Sequence, residues 1–80
     1  MNVEQKLEQS QFNRIVELIE RAVNCSDEVF QDRLDINYSK IPIAFENSKN
    51  SLRKKELLTI APLIVKLKNR INLFRESNPQ

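Results

Sequence analysis

Apolar residues recur at steps of three and four along three stretches of this chain, the spacing that puts side chains on one buried helical face. In the first stretch, from about Val3 to Asn24, Phe12, Ile15, Ile19 and Ala22 share a face, widened by Val16, Leu18 and Val23. Val3 and Leu7 stand four apart, but the step from Leu7 to Phe12 breaks the register, so the first turns are expected to fray. Glu17 and Arg21 are oriented to support the helix as an i,i+4 pair.

The second stretch opens on a start signal. Ser26 can cap a helix, and Asp27 and Glu28 set negative charge against the positive end of its dipole. Phe30, Leu34, Tyr38, Ile41 and Phe45 then follow at steps of four, four, three and four. Pro42 interrupts this face by removing a backbone donor and restricting Ile41, which predicts a kink, or a break with a short helix resuming near it. The polar run from Glu46 to Ser51 reads as a connection.

The third stretch carries the most regular pattern. Leu57, Ile60, Ile64, Leu67, Ile71 and Phe74 alternate steps of three and four, a heptad seam of nearly three repeats. Leu58, Leu63, Val65 and Leu73 widen the apolar surface beyond a two-stranded coiled coil. Pro62 falls inside it, predicting either a kinked long helix or a new helix with Thr59 as its cap. The expected fold is therefore all-α, a small antiparallel bundle of three main helices, the second and third kinked or broken at Pro42 and Pro62. Residues 1–76 form one helical domain, and residues 77–80 a disordered tail.

Composition strengthens the helical reading. At 80 residues the chain has room for one thin core, and sharing that core with another chain is one remedy. Glycine is absent, against an average usage of roughly 7%. Without it β-hairpins lack their turn residues, and Asn24, Asn47 and Asn50 are left as substitute helix terminators in the left-handed conformation. A single cysteine, Cys25, cannot form an internal disulfide and fits a reducing, cytoplasmic setting. The N-terminus lacks the apolar core of a signal peptide, and the uncharged run from Leu57 to Val65 is far short of the ~20 residues that span a bilayer.

The residue inventory removes most enzyme chemistry. There is no histidine for a general base or a catalytic triad, and one cysteine cannot build a structural zinc site. A chain without glycine has neither a Walker loop nor a dinucleotide fingerprint. No enzyme, cofactor or metal is expected. Glu28, Asp32 and Asp35 share a helical face and read as a solvated acidic surface. Asp35, Asn37 and Ser39 mimic the start of a calcium loop, but Lys40 stands where that loop needs glycine. Cys25 beside the cap of the second helix reads as a small apolar side chain in a junction rather than a reactive thiol.

Charge is uneven. The chain carries net −1 over residues 1–24, −2 over 25–50 and +5 over 51–80. The cluster Arg53-Lys54-Lys55 opposes the dipole at the start of the third helix, so local helix stability does not explain it. Lys66, Lys68, Arg70 and Arg75 follow. Small bacteriocin-immunity proteins, secretion cochaperones and coiled-coil subunits share this size and helix content, an analogy of architecture without a shared motif.

The sequence points to a non-catalytic helical protein–protein interaction module, a subunit, adaptor, chaperone or inhibitor, that engages another protein or a second copy through an apolar helix face. Leu57, Ile60, Ile64, Leu67 and Ile71 are the expected contacts, with Arg53, Lys54 and Lys55 steering the approach. The alternative is a small nucleic-acid-binding or transcription-regulator-associated protein that uses the basic C-terminal helix. An immunity-type protein is a third reading.

Overall fold

The computed structural model describes residues 8–77, and every element among them is helical. Four α-helices take the place of the three main ones expected: α1 (Gln9–Asn24), α2 (Asp27–Arg33), α3 (Lys40–Ser48) and α4 (Lys54–Ser77). A π-helical turn, Leu34–Tyr38, joins α2 to α3, and a 3-10 turn, Lys49–Ser51, follows α3. The fraying expected around Val3 and Leu7 falls outside the described residues, as do positions 78–80 of the expected tail; Ser77 is the last residue of α4.

The π turn has a sequence cause. Steps of exactly four drift by about 40° each on an α-helix of 3.6 residues per turn. Phe30, Leu34 and Tyr38 are four apart in succession, yet all three are buried. The wider turn, in which Ser39 N–H donates to Leu34 O at 2.8 Å, keeps them on one face. It also ends one turn before Pro42, whose ring would crowd the carbonyl of Tyr38 in a regular helix. The second stretch thus widens into a π turn ahead of Pro42, and α3 begins at Lys40 with Pro42 buried in its first turn.

Pro62 does not end α4, which runs unbroken through it. Pro62 and Leu58, whose carbonyl loses its usual donor, are both exposed, where such a loss costs least. Thr59 starts no new helix either: its hydroxyl donates to Lys55 O at 3.0 Å, one turn back. The run expected as a connection from Glu46 to Ser51 is largely the end of α3 and the 3-10 turn.

Helix ends are made without the left-handed conformation, since no described residue has positive φ. The expected role of Asn24, Asn47 and Asn50 as left-handed terminators is therefore corrected. Instead, Cys25 turns extended after α1, and an arginine 45 residues away meets the open carbonyls. Ser26 caps α2 as expected, its Oγ accepting from Val29 N–H at 3.3 Å.

Contacts set the chain directions. Phe12 packs with Ile60 and Ile64, and Ala22 with Leu67 and Ile71, so α1 and α4 run the same way. Phe30 meets Phe74 at 4.8 Å between ring centres while Phe45 lies with the cluster around Ile60, so α2 and α3 run opposite to α4. The core divides into two clusters along α4. One holds Ala22, Phe30, Leu34, Tyr38, Leu67 and Ile71. The other holds Phe12, Ile19, Leu52, Ile60 and Ile64.

Candidate functional site

The seam expected to meet a partner lies mostly inside the protomer. Ile60, Ile64, Leu67 and Ile71 are all buried, and Leu57 is half-buried beside the second cluster. Arg53, Lys54 and Lys55 are exposed at the start of α4. Arg53 also has a local task the sequence reading did not foresee. Its backbone N–H donates to Glu56 Oε1 at 2.8 Å and its Nη1 to Oε2 at 3.0 Å. Glu56, only 2% exposed, thereby caps the first turn of α4 with the charge its dipole favours. These hydrogen bonds, the backbone donor first, hold the Glu56 carboxyl below its ordinary range against the opposing effect of burial.

The two ends of the core close differently. At the first cluster Arg70 ties three elements together. Its Nη1 donates to the Ala22 and Val23 carbonyls at 3.1 and 3.0 Å, and its Nη2 to Cys25 O at 2.6 Å and to Asp27 Oδ1 at 3.0 Å. The guanidinium lies 4.4 Å from the centre of the Phe30 ring, a cation–π arrangement. One side chain thus satisfies the carbonyls that end α1 and bonds to the first residue of α2. Cys25 sits half-buried in this junction with its Sγ 3.7 Å from Arg70 Nη1.

At the second cluster α1 and α3 both rest on α4. Between them lies a groove of about 200 Å³. Ile15 and Leu18 of α1 form one wall, and Ile41, Ala44 and Phe45 of α3 the other. Ile60 and Ile64 make the floor, and Leu52 closes the end. Ser48 is the one polar residue among those that line it.

Of the expected contact residues, the groove gathers Ile60 and Ile64 alone. The sequence put Ile15, Leu18 and Phe45 on apolar faces but gave no sign that a gap separates those faces. Leu52 and Arg70 carried no signal: one follows a polar run, and the other reads as one more basic residue.

A second apolar surface runs down the outer side of α4, where Leu58, Val65 and Leu73 are 68%, 55% and 62% exposed. This helix is apolar on opposite sides, which is why the heptad seam alone did not reveal which side faces inward. Lys66, Lys68 and Arg75 are exposed along it. Asp35, Asn37 and the intervening Ile36 lie in the π turn rather than in a loop. Among the described residues no three carboxylate or thiol groups converge as a metal site would require, and no helix is long and apolar enough to cross a membrane.

Comparison with protein-family models, with curated proteins and with solved structures yields no match.

Proposed function

We propose that this chain is a non-catalytic helical interaction module that receives an apolar helical segment of another protein in the groove between α1 and α3. The observation that carries this reading is the groove itself, walled by Ile15, Leu18, Ala44 and Phe45 over a floor of Ile60 and Ile64. Helix-in-groove recognition uses such a surface, with anchors at i, i+3 or i+4, and i+7. Size favours a side-chain anchor over a free small molecule. An aliphatic cavity of about 150 Å³ accepts benzene, whereas pockets for drug-sized ligands run to roughly 300–1,000 Å³. A groove of about 200 Å³ suits a Phe or Leu side chain of a partner.

The function class expected from the sequence is kept, and the contact surface moves from the seam to the groove above it. Arg53, Lys54 and Lys55 stand near Leu52 at the same end and keep the steering role. The single thiol of Cys25 fits a reducing compartment such as the cytoplasm.

Affinity capture from nuclease-treated native extract tests this reading when run with three variants. Leu18→Asp and Ala44→Asp charge the groove walls at accessible positions, and Val65→Asp charges the outer side of α4. A stoichiometric protein held by the wild type and by Val65→Asp, but lost from both groove variants, is the expected result. Capture indifferent to the groove variants would overturn the reading.

A second reading rests on the exposed cations of α4, with Lys54, Lys55, Lys66 and Lys68 meeting a nucleic-acid backbone. It predicts recovery of nucleic acid in the untreated extract and binding that weakens steeply with added salt.

A further inference from the structure

We infer that this chain associates with a second copy of itself, the outer side of α4 in one molecule lying antiparallel on the outward side of α2, the π turn and α3 in the next. The contact uses neither the groove nor the partner proposed for it.

Exposed apolar side chains mark the two surfaces. Among the described residues, the large apolar side chains left in water are Leu18, on the groove wall, and two sets of three. Leu58, Val65 and Leu73 lie along the outer side of α4. Val29, Ile36 and Ile43 are 39%, 64% and 62% exposed along α2, the π turn and α3. Each set repeats at about two helical turns. The steps are seven and eight residues in the first set and seven and seven in the second.

The charges around the two sets are opposite. Lys54, Lys55, Lys66, Lys68 and Arg75 are exposed on α4, against one exposed carboxylate, Glu76. Glu28, Asp32, Asp35 and Glu46 are exposed on the other surface, against Arg33 and Lys40. Asp27 is already bonded to Arg70 within the molecule at 3.0 Å.

The order of these charges sets the direction of the contact. With Val65 facing Ile36 and the helices antiparallel, Leu73 meets Val29 and Leu58 meets Ile43. Lys66 and Lys68, between Val65 and Leu73, then fall opposite Asp32 and Asp35, between Val29 and Ile36. Arg75 falls beside Glu28, and Lys54 and Lys55 fall beside Glu46. Lys40 falls opposite the run from Thr59 to Ile64, which carries no charge. Run parallel, the same faces set Lys40 against Lys66 and Lys68. Arg33 and Glu76 are unmatched in the antiparallel register. Glu46 is bonded to Lys49 at 3.0 Å, but both are exposed and such a pair is readily exchanged.

Both surfaces are present on every molecule in equal number, so a second copy supplies the complement directly. Complementary charge fixes register and speeds encounter more than it adds affinity, and the apolar sets supply area removed from water. Because each molecule offers one surface and uses the other, the contact repeats head to tail, closing into a ring or extending. With three apolar side chains on each side, it belongs with small, transient interfaces and forms at high protein concentration.

Sedimentation velocity on the nuclease-treated full chain tests this, from about 10 μM to about 1 mM at low salt. The average mass should rise with concentration, and added salt should lower it. Lys66→Glu/Lys68→Glu and Asp32→Lys/Asp35→Lys each set like charges together at the centre of the contact. Each should weaken self-association by at least about tenfold. The chain carrying all four substitutions should regain it, because the exchanged charges again oppose. All four positions are exposed, and circular dichroism checks that each variant keeps its helices. Val65→Asp should also weaken self-association, whereas Leu18→Asp, on the groove, should not. A chain that stays monomeric at about 1 mM overturns the inference, as does association that survives both charge reversals. If the folded four-site chain fails to regain association, pairing of these two faces is overturned. Loss of association in Leu18→Asp alone would place self-contact in the groove and overturn it too. Capture of a partner by the groove is read separately, through Ala44→Asp, and stands or falls by itself.

Discussion

The two ends of this small molecule solve the same problem in opposite ways. At the end built on Ala22, Phe30, Leu67 and Ile71, three elements converge and Arg70 binds them together. At the end built on Phe12, Ile19, Ile60 and Ile64, α1 and α3 both pack on α4, and an apolar groove opens between them. Both ends use apolar residues of similar kind, so composition does not separate them. The difference lies in how the ends are joined: at the closed end one side chain bridges three elements, whereas the Glu56 cap at the open end acts within one turn of its own helix. A short helix leaves several carbonyls and amides unsatisfied. Arg70 gathers those at the closed end.

Cavity-forming substitutions should expose this contrast most strongly. Leu67, fully buried at the closed end, is expected to cost about 2–5 kcal/mol as Leu67→Ala. Ile64→Ala should fall below it in urea denaturation, because Ile64 already borders the groove and its removal enlarges an existing opening rather than making a sealed void. Equal losses would mean that the open end is packed as firmly as the closed one.

Arg70→Ala should come next, at about 2 kcal/mol, because it leaves the carbonyls of Ala22, Val23 and Cys25 without their donor. Arg70→Lys should recover little, since an ammonium cannot span the same set of acceptors or stack on Phe30 in the same way. Full recovery by lysine would reduce the role of Arg70 to charge alone.

The helix caps sharpen the comparison on a smaller scale. Ser26→Ala removes the hydroxyl cap of α2 and should cost about 1 kcal/mol, the same at neutral and acid pH. The corresponding cap at the open end is the Glu56 carboxylate, and it should titrate. Its pKa is lowered in the folded chain, so its contribution is full above the ordinary carboxylate range near 4.5 and is lost as pH falls through the lower folded value. Denaturation midpoints measured from pH 6 to pH 2 should fall less steeply for Glu56→Gln than for the parent. Parallel curves would remove Glu56 as an acid-sensitive support.

Several features were legible in the sequence for identifiable reasons. The all-helical class followed from apolar spacing in a chain without glycine. Ser26 was readable because a cap acts within one turn of its own position. Pro42 was read as a kink or a break; the chain instead takes a π turn ahead of it, and the successive four-residue steps from Phe30 to Tyr38 are the signal that a wide turn was needed. Of the two readings left open at Pro62, a kinked long helix or a new helix, only the new helix is overturned, since α4 runs through the proline. Thr59 misled, since its hydroxyl bonds back to Lys55 instead of starting a helix. The candidate groove was the least legible feature. Ile15, Leu18, Ala44 and Phe45 all sit on ordinary apolar faces, and only the separation between helices turns those faces into walls.

What the sequence determined by itself is what local forces decide: that the chain is helical, where α2 is capped, and how charge divides along the chain. Spacing, propensity and capping act over a turn or two, so a single strand of letters carries them. The tertiary structure alone decided which side of α4 faces inward, that Arg70 closes α1 from 45 positions away, and that a groove opens between α1 and α3. Those outcomes depend on several elements competing to bury their faces on one helix, and no short stretch of the chain contains that competition.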